Sequence, residues 1–194
     1  ENKVEVTIKK SKFISDYSIN DVGGAIYANN TYAYRNNFTT CHGGDGGAIF
    51  SENYTTAIQN IFINNAAQYS GGAIFTKNGV IEYNVFIDNI GAQWSNRLGD
   101  VAFSDSKPDS LELNWWGHNR PFEDYGIIVN KTGKDRAKVN AGLQGAQGDP
   151  FLPETWVIMD FYITNPMEPV IGQGVNLTTA LERYYNNITN IYKC

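Results

Sequence analysis

The residues that could do chemistry in this chain are few and scattered. Glycosidic hydrolysis needs two carboxylates facing one cleft. A calcium-assisted lyase needs a carboxylate cluster beside a base that takes the proton. Asp16, Asp45, Asp88 and Asp100 fall at different places in the sequence pattern. Arg97 with Asp100, Asp105 and Asp109 is the one grouping; it sits on an inserted stretch whose plainer reading is a solvated loop. His42 and His118, the only histidines, are far apart, and a metal site needs more ligands. In GGDGGAIF, Asp45 comes too early for a calcium nonapeptide. No phosphate loop or nucleophile elbow is present, so no catalysis, cofactor or metal is expected.

Binding is the better expectation. Tyr69, Trp94 and Trp115 read as aromatics available to a ligand, with Asn and Asp nearby. Such platforms suit sugars through apolar ring faces and amide hydrogen bonds. Six N-x-S/T sequons, at Asn29, Asn37, Asn53, Asn130, Asn176 and Asn187, are possible glycosylation sites in an exported protein. Net charge is −5 with no basic stripe, which argues against nucleic acid. No stretch has the apolar length of a membrane-spanning helix. Two cysteines, Cys41 and Cys194, make no disulfide framework.

These residues must be positioned by a repeat. GGAIY from Gly23 recurs as GGAIF from Gly46 and Gly71, and GDVAF from Gly99 continues it, at steps of roughly 23 to 28 residues. A second anchor is aromatic: Phe13, Phe38, Phe62, Phe86, Trp116. Two residues before it stand Ser11, Asn36, Asn60, Asn84 and Asn114; three after it stand Asp16, Cys41, Asn65, Asn89 and Asn119. After the glycines, Val101 aligns with Ala25, Ala48 and Ala73, Ala102 with the isoleucines, and Phe103 with Tyr27, Phe50 and Phe75.

A short period without a leucine scaffold or helix formers points to a right-handed parallel β-helix. Each unit reads as two short β runs, each coil adding about 4.8 Å. Stacking explains the columns: like packs on like, and buried amides bond along the stack. The glycines supply a tight bend or a positive φ. Alternation sets Ile on one face of AIF and the aromatic on the other, leaving open which is inside.

Trp115 and Trp116 read as closing the stack, since an open solenoid end needs a cap; a binding role for Trp115 is the second reading. Residues 1–119 are therefore expected to form the β-helix and 120–154 capping loops and a connector. Residues 155–194 read as the start of an Ig-like β-sandwich, with a short helix at LERYYNN as the alternative. Both ends read as cut from a longer chain.

GGAI paired with F-x-x-N (Phe62–Asn65, Phe86–Asn89) resembles the repeats of chlamydial polymorphic outer-membrane proteins. With the closing NWWG (Asn114–Gly117) and a Trp-led strand after it, the set is still more similar to archaeal adhesin-like proteins, large surface proteins of methanogens. The resemblance implies an exported β-helix, part of a larger surface-anchored chain, that attaches to other cells or surface glycans. A carbohydrate-active β-helix enzyme and a purely structural stalk are the rivals.

Overall fold

The computed structural model describes residues 5–18, 21–91, 101–104, 108–117, 139–141, 154–163, 177–186 and 191–193. The chain is all-β, with no helix among the described residues. The strands in order are β1 (Glu5–Lys9), β2 (Lys12–Ile14), β3 (Ile26–Tyr34), β4 (Asn37–Thr39), β5 (His42–Gly43), β6 (Ile49–Ile58), β7 (Ile61–Ile63) and β8 (Ala66–Ala67). They continue with β9 (Ile74–Glu82), β10 (Val85–Ile87), β11 (Ile90–Gly91), β12 (Val101–Phe103), β13 (Val139–Ala141), β14 (Thr155–Ile163), β15 (Leu177–Asn186) and β16 (Ile191–Lys193).

Three parallel sheets wrap about four turns of a β-solenoid. The long sheet runs β1-β3-β6-β9-β12-β13, the second β2-β4-β7-β10, the third β5-β8-β11. Each full coil thus has three strands, not the two read from sequence. The third is only two residues long, too short to show as an apolar run.

Three kinds of corner join them. Between the long and second strands, Lys10, Arg35, Gln59, Tyr83 and Leu113 adopt positive φ; between the second and third, Ser15, Thr40, Asn64 and Asp88 do so. A side chain in that region costs roughly 1–2 kcal/mol, and each of these residues stands immediately before a position of the Asn columns. The third corner is the glycine doublet. Gly23, Gly46 and Gly71 have φ of 65°. Their partners are glycine for a different reason: a Cβ on Gly47 would lie 2.0 Å from the Gly72 carbonyl oxygen.

The open question of facing resolves in favour of isoleucine. Ile26, Ile49 and Ile74 are buried, and Tyr27, Phe50 and Phe75 lie on the outer face, with Tyr27 57% exposed. The GDVAF alignment is corrected by one place: Val101 pairs with Ile74 and Ala102 with Phe75. A one-residue slip exchanges the faces of a strand, and here it brings the bulkier Val101 into the core, fully buried.

Inside, Phe13, Phe38, Phe62, Phe86 and Trp116 stack with centroids 4.7–5.0 Å apart. The amide ladder is also present. Asn36 Nδ2 donates to Asn60 Oδ1 (3.0 Å), Asn60 to Asn84 (3.0 Å) and Asn84 to Asn114 (3.1 Å). The same oxygens accept the backbone N–H of the preceding coil's Asn. A shorter ladder joins Asn65 to Asn89.

Cys41 interrupts that second ladder. It is buried, and burial pushes its thiol up to about 11. Its N–H already donates to Asn65 Oδ1, but its sulfur sits 3.8 Å from the Phe13 carbonyl oxygen, where Asn65 and Asn89 donate to Phe38 and Phe62 at 3.0 Å. Cys41→Asn is therefore expected to stabilise the chain by about 1 kcal/mol, the net of the added hydrogen bonds. A rise in urea midpoint at unchanged slope checks it.

The end of the solenoid differs from the sequence reading. Among the described residues Trp116 is the last ring of the stack, and Trp115 is an ordinary rung, its N–H donating to the Asn84 carbonyl. The layer beyond them is supplied by β14. Asn114 pairs with Trp156, Val157 N–H donates to the Asn114 carbonyl, and Trp156 and Ile158 are buried in the same core as the coils. Glu112 fastens this layer, its Oε2 accepting from the Thr155 N–H and Oγ1 (both 2.6 Å). The start of the expected C-terminal module is thus also the cover of the rod. Residues 139–141, expected in a connector, add a strand to the long sheet. Beyond the rod, β14, β15 and β16 form a three-stranded antiparallel sheet, so LERYYNN begins in a strand and not a helix.

Candidate functional site

The long strands are interrupted mid-length, and the interruption builds the most distinctive outer surface. Between Ala28 and Asn30 β3 has one residue, Asn29; β6 has two in the same place, Glu52 and Asn53; β9 again has one, Lys77. A bulge of this kind bends the strand and re-aims side chains outward. Inside it, buried Thr31 and Ser51 share a hydrogen bond of 2.7 Å, while the buried Thr55 hydroxyl, next to Thr31 in the sheet, has no partner among the described residues.

Before the bulge, Tyr27, Phe50 and Phe75 form an outward aromatic column along the rod. Phe50 and Phe75 stack at 5.2 Å with planes 2° apart, and Tyr27 lies tilted on Phe50 at 5.6 Å. At the bulge, Glu52 ties the column to amides: Oε1 accepts from Tyr27 OH (2.5 Å) and Oε2 from Asn29 Nδ2 (3.3 Å). Asn29 Oδ1 accepts in turn from Asn53 Nδ2 (2.7 Å) and Asn30 Nδ2 (3.0 Å). Beside it a second cluster repeats the chemistry, with Asp109 accepting from Tyr54 OH (2.7 Å) and Asn78 Nδ2 (3.0 Å).

Both phenols hold their protons more firmly than usual. For Tyr27 the hydrogen bond to Glu52 is the main cause, followed by that carboxylate's charge. For Tyr54, desolvation leads, then the Asp109 hydrogen bond and charge, and the phenol is pushed up to about 12. The folded chain keeps a proton that unfolded tyrosine loses near 10.0. This contribution to stability is whole below pH 10.0 and fades as pH rises toward about 12. The stability difference between the natural chain and Tyr54→Phe is therefore expected to shrink across that window. Denaturant midpoints measured against pH check this, and a constant difference would contradict it.

The residues singled out from sequence are not brought together. Tyr69 is exposed beside the glycine corner, its N–H donating to the Gly44 carbonyl. Trp115 is buried, which leaves its ring little surface for a ligand. Trp94 lies outside the described residues, as do Arg97, Asp100, Asp105 and His118. Asp109, grouped with them in the sequence, belongs instead to the Tyr54 cluster. His42 is on a strand, with Tyr17 stacked on its ring at 4.8 Å. Of the sequons, Asn53 is exposed and Asn29 and Asn37 half-buried, while Asn130, Asn176 and Asn187 lie outside the described residues. Among the described residues no group of His, Cys, Asp and Glu could hold a metal.

What the sequence reading missed is the column Tyr27, Phe50, Phe75. Its signal was in plain view, an aromatic at the same place in three coils, but it could not be used while the facing was open.

The F-x-x-N corner, the glycine corner and the strand after it are the units on which a comparison with known proteins falls. Residues 61–77 match the model of the Chlamydia polymorphic membrane protein repeat. That stretch holds β7, β8, the Gly71–Gly72 corner and the start of β9, a repeat fold like that of a surface protein. No curated protein and no solved structure matches the chain.

Proposed function

We propose that the chain is part of an adhesin-like surface protein, a β-helix rod that displays a lateral face for attachment to other cells or surface glycans. The observation that carries this reading is the division of labour between the two sides of each coil. Inside, Phe and Asn repeat to hold the stack. Outside, the repeat places aromatic rings and hydrogen-bonding groups in a file along the rod. Weak contacts made on successive coils add through effective concentration, which suits attachment.

The match to a membrane-protein repeat supports an outer-membrane or surface location. On this reading the chain performs no catalytic step and needs no cofactor. The antiparallel sheet after the rod is the opening of an Ig-like module, as in archaeal adhesin-like proteins, with the anchor in regions outside this piece. Sequons off that lateral face, such as Asn37 on β4, carry glycans. The test is saturable binding of the labelled chain to intact microbial cells. A folded chain that binds no cell would leave a structural stalk.

A further inference from the structure

We propose that the outer face of the long sheet binds an uncharged glycan laid along the rod, on Tyr27, Phe50 and Phe75. Glu52 and Asp109 would accept hydrogen bonds from its hydroxyls. The proposal rests on the attachment reading and names its face and its ligand class.

Three observations carry it. First, the rings lie one coil apart, 5.2–5.6 Å between centroids, with Phe50 and Phe75 face to face, so the platform is an apolar file of ring edges, long in the direction of the rod axis and narrow across it. That shape fits a chain of flat units better than a single small molecule. Second, a carboxylate has about four acceptor sites. Glu52 uses one on each oxygen, for Tyr27 and Asn29, and Asp109 one on each, for Tyr54 and Asn78. The remaining lone pairs sit on carboxylates already fixed in place, so little ordering is lost when a hydroxyl arrives. Third, the face carries hydrogen-bonding groups beside Tyr27 and along the bulge that follows the rings. The centre of a protein–protein interface is depleted in such charges, whereas a sugar presents an apolar ring face edged by hydroxyls.

Charge decides between kinds of glycan. Glu52 and Asp109 outnumber Lys77 at the bulge and the whole chain carries −5, so uronic or sulfated sugars are disfavoured. The sequon residues Asn29 and Asn53 lie on the same face, 2.7 Å apart through their amides. A glycan attached to either would cover the platform, so the site requires a bare face.

The test uses the whole chain made in a host without N-glycosylation, on an array of neutral and acidic oligosaccharides, followed by calorimetry with the best binder. Neutral oligosaccharides are expected to bind. Tyr27→Ala is expected to weaken them about tenfold and Glu52→Gln to weaken them measurably. Tyr17 is stacked on His42 of the third sheet, and Tyr17→Ala should leave affinity unchanged. Tyr27 is exposed, so its variant keeps the fold, and an unchanged thermal midpoint verifies that. Preference for acidic glycans, or neutral binding untouched by Tyr27→Ala and Glu52→Gln, would overturn the proposal. Attachment to cells without binding to any glycan would overturn it while leaving the attachment reading intact. Binding to neither would remove both.

Discussion

Asn60→Ala is expected to lower the stability of the chain by about 4 kcal/mol. The size follows from counting what one side chain satisfies. Asn60 Oδ1 accepts from the Asn36 N–H (2.9 Å) and Asn36 Nδ2 (3.0 Å); its Nδ2 donates to the Ala33 carbonyl (2.9 Å) and Asn84 Oδ1 (3.0 Å). All three asparagines are buried, so water does not replace the lost partners. A buried donor or acceptor left unpaired costs about 1–3 kcal/mol. Four contacts are lost, but the Asn84 oxygen keeps the Asn60 N–H, which moderates the sum.

Asn60→Asp separates hydrogen bonding from shape. It preserves volume and the acceptor facing Asn36, but replaces the donor with an oxygen facing the Ala33 carbonyl and Asn84 Oδ1. It is expected to be at least as damaging as alanine, because it adds repulsion to loss. Urea denaturation of both variants decides. If Asp restored most of the stability, the column would matter as packing and not as a ladder.

The ladder shows how much of the fold could be read in the sequence. The Asn and Phe columns were legible because a parallel stack brings equal places of each coil together, so periodicity becomes contact. The corners were not. Arg35, Gln59 and Tyr83 are unremarkable residue types for a left-handed corner. What allows them is the Asn that follows, whose N–H is accepted by the next coil, and that is a relation between coils. The rod's end was misplaced for a similar reason. Trp115 and Trp116 are conspicuous in sequence, but the cover comes from Trp156, some forty residues later, through a pairing with Asn114 that no local pattern announces. The candidate face needed one fact alternation cannot supply, that Ile and not Phe turns inward. The core decides it: the Phe13 column already fills one side of the interior with rings.

Phe62→Ala is the second large effect, expected to cost about 4–5 kcal/mol, the upper part of the range for truncating a buried Phe. Phe62 is fully buried between Phe38 (4.9 Å) and Phe86 (5.0 Å), so truncation empties one rung and removes ring contacts on both sides. Collapse cannot repair the gap, because the registers of β4 on β7 and β7 on β10 fix the neighbouring coils at backbone spacing. Position along the stack then becomes the test. In a solenoid, stability approximates a sum over coils and their nearest-neighbour interfaces. Phe13 is half-buried and has one described stacking partner, Phe38 at 4.8 Å. Phe13→Ala should therefore cost about half as much as Phe62→Ala. Urea midpoints of the two variants measure the ratio. Equal losses would mean that a second stacking partner and fuller burial add nothing, against a stack whose interior members are each held from two sides.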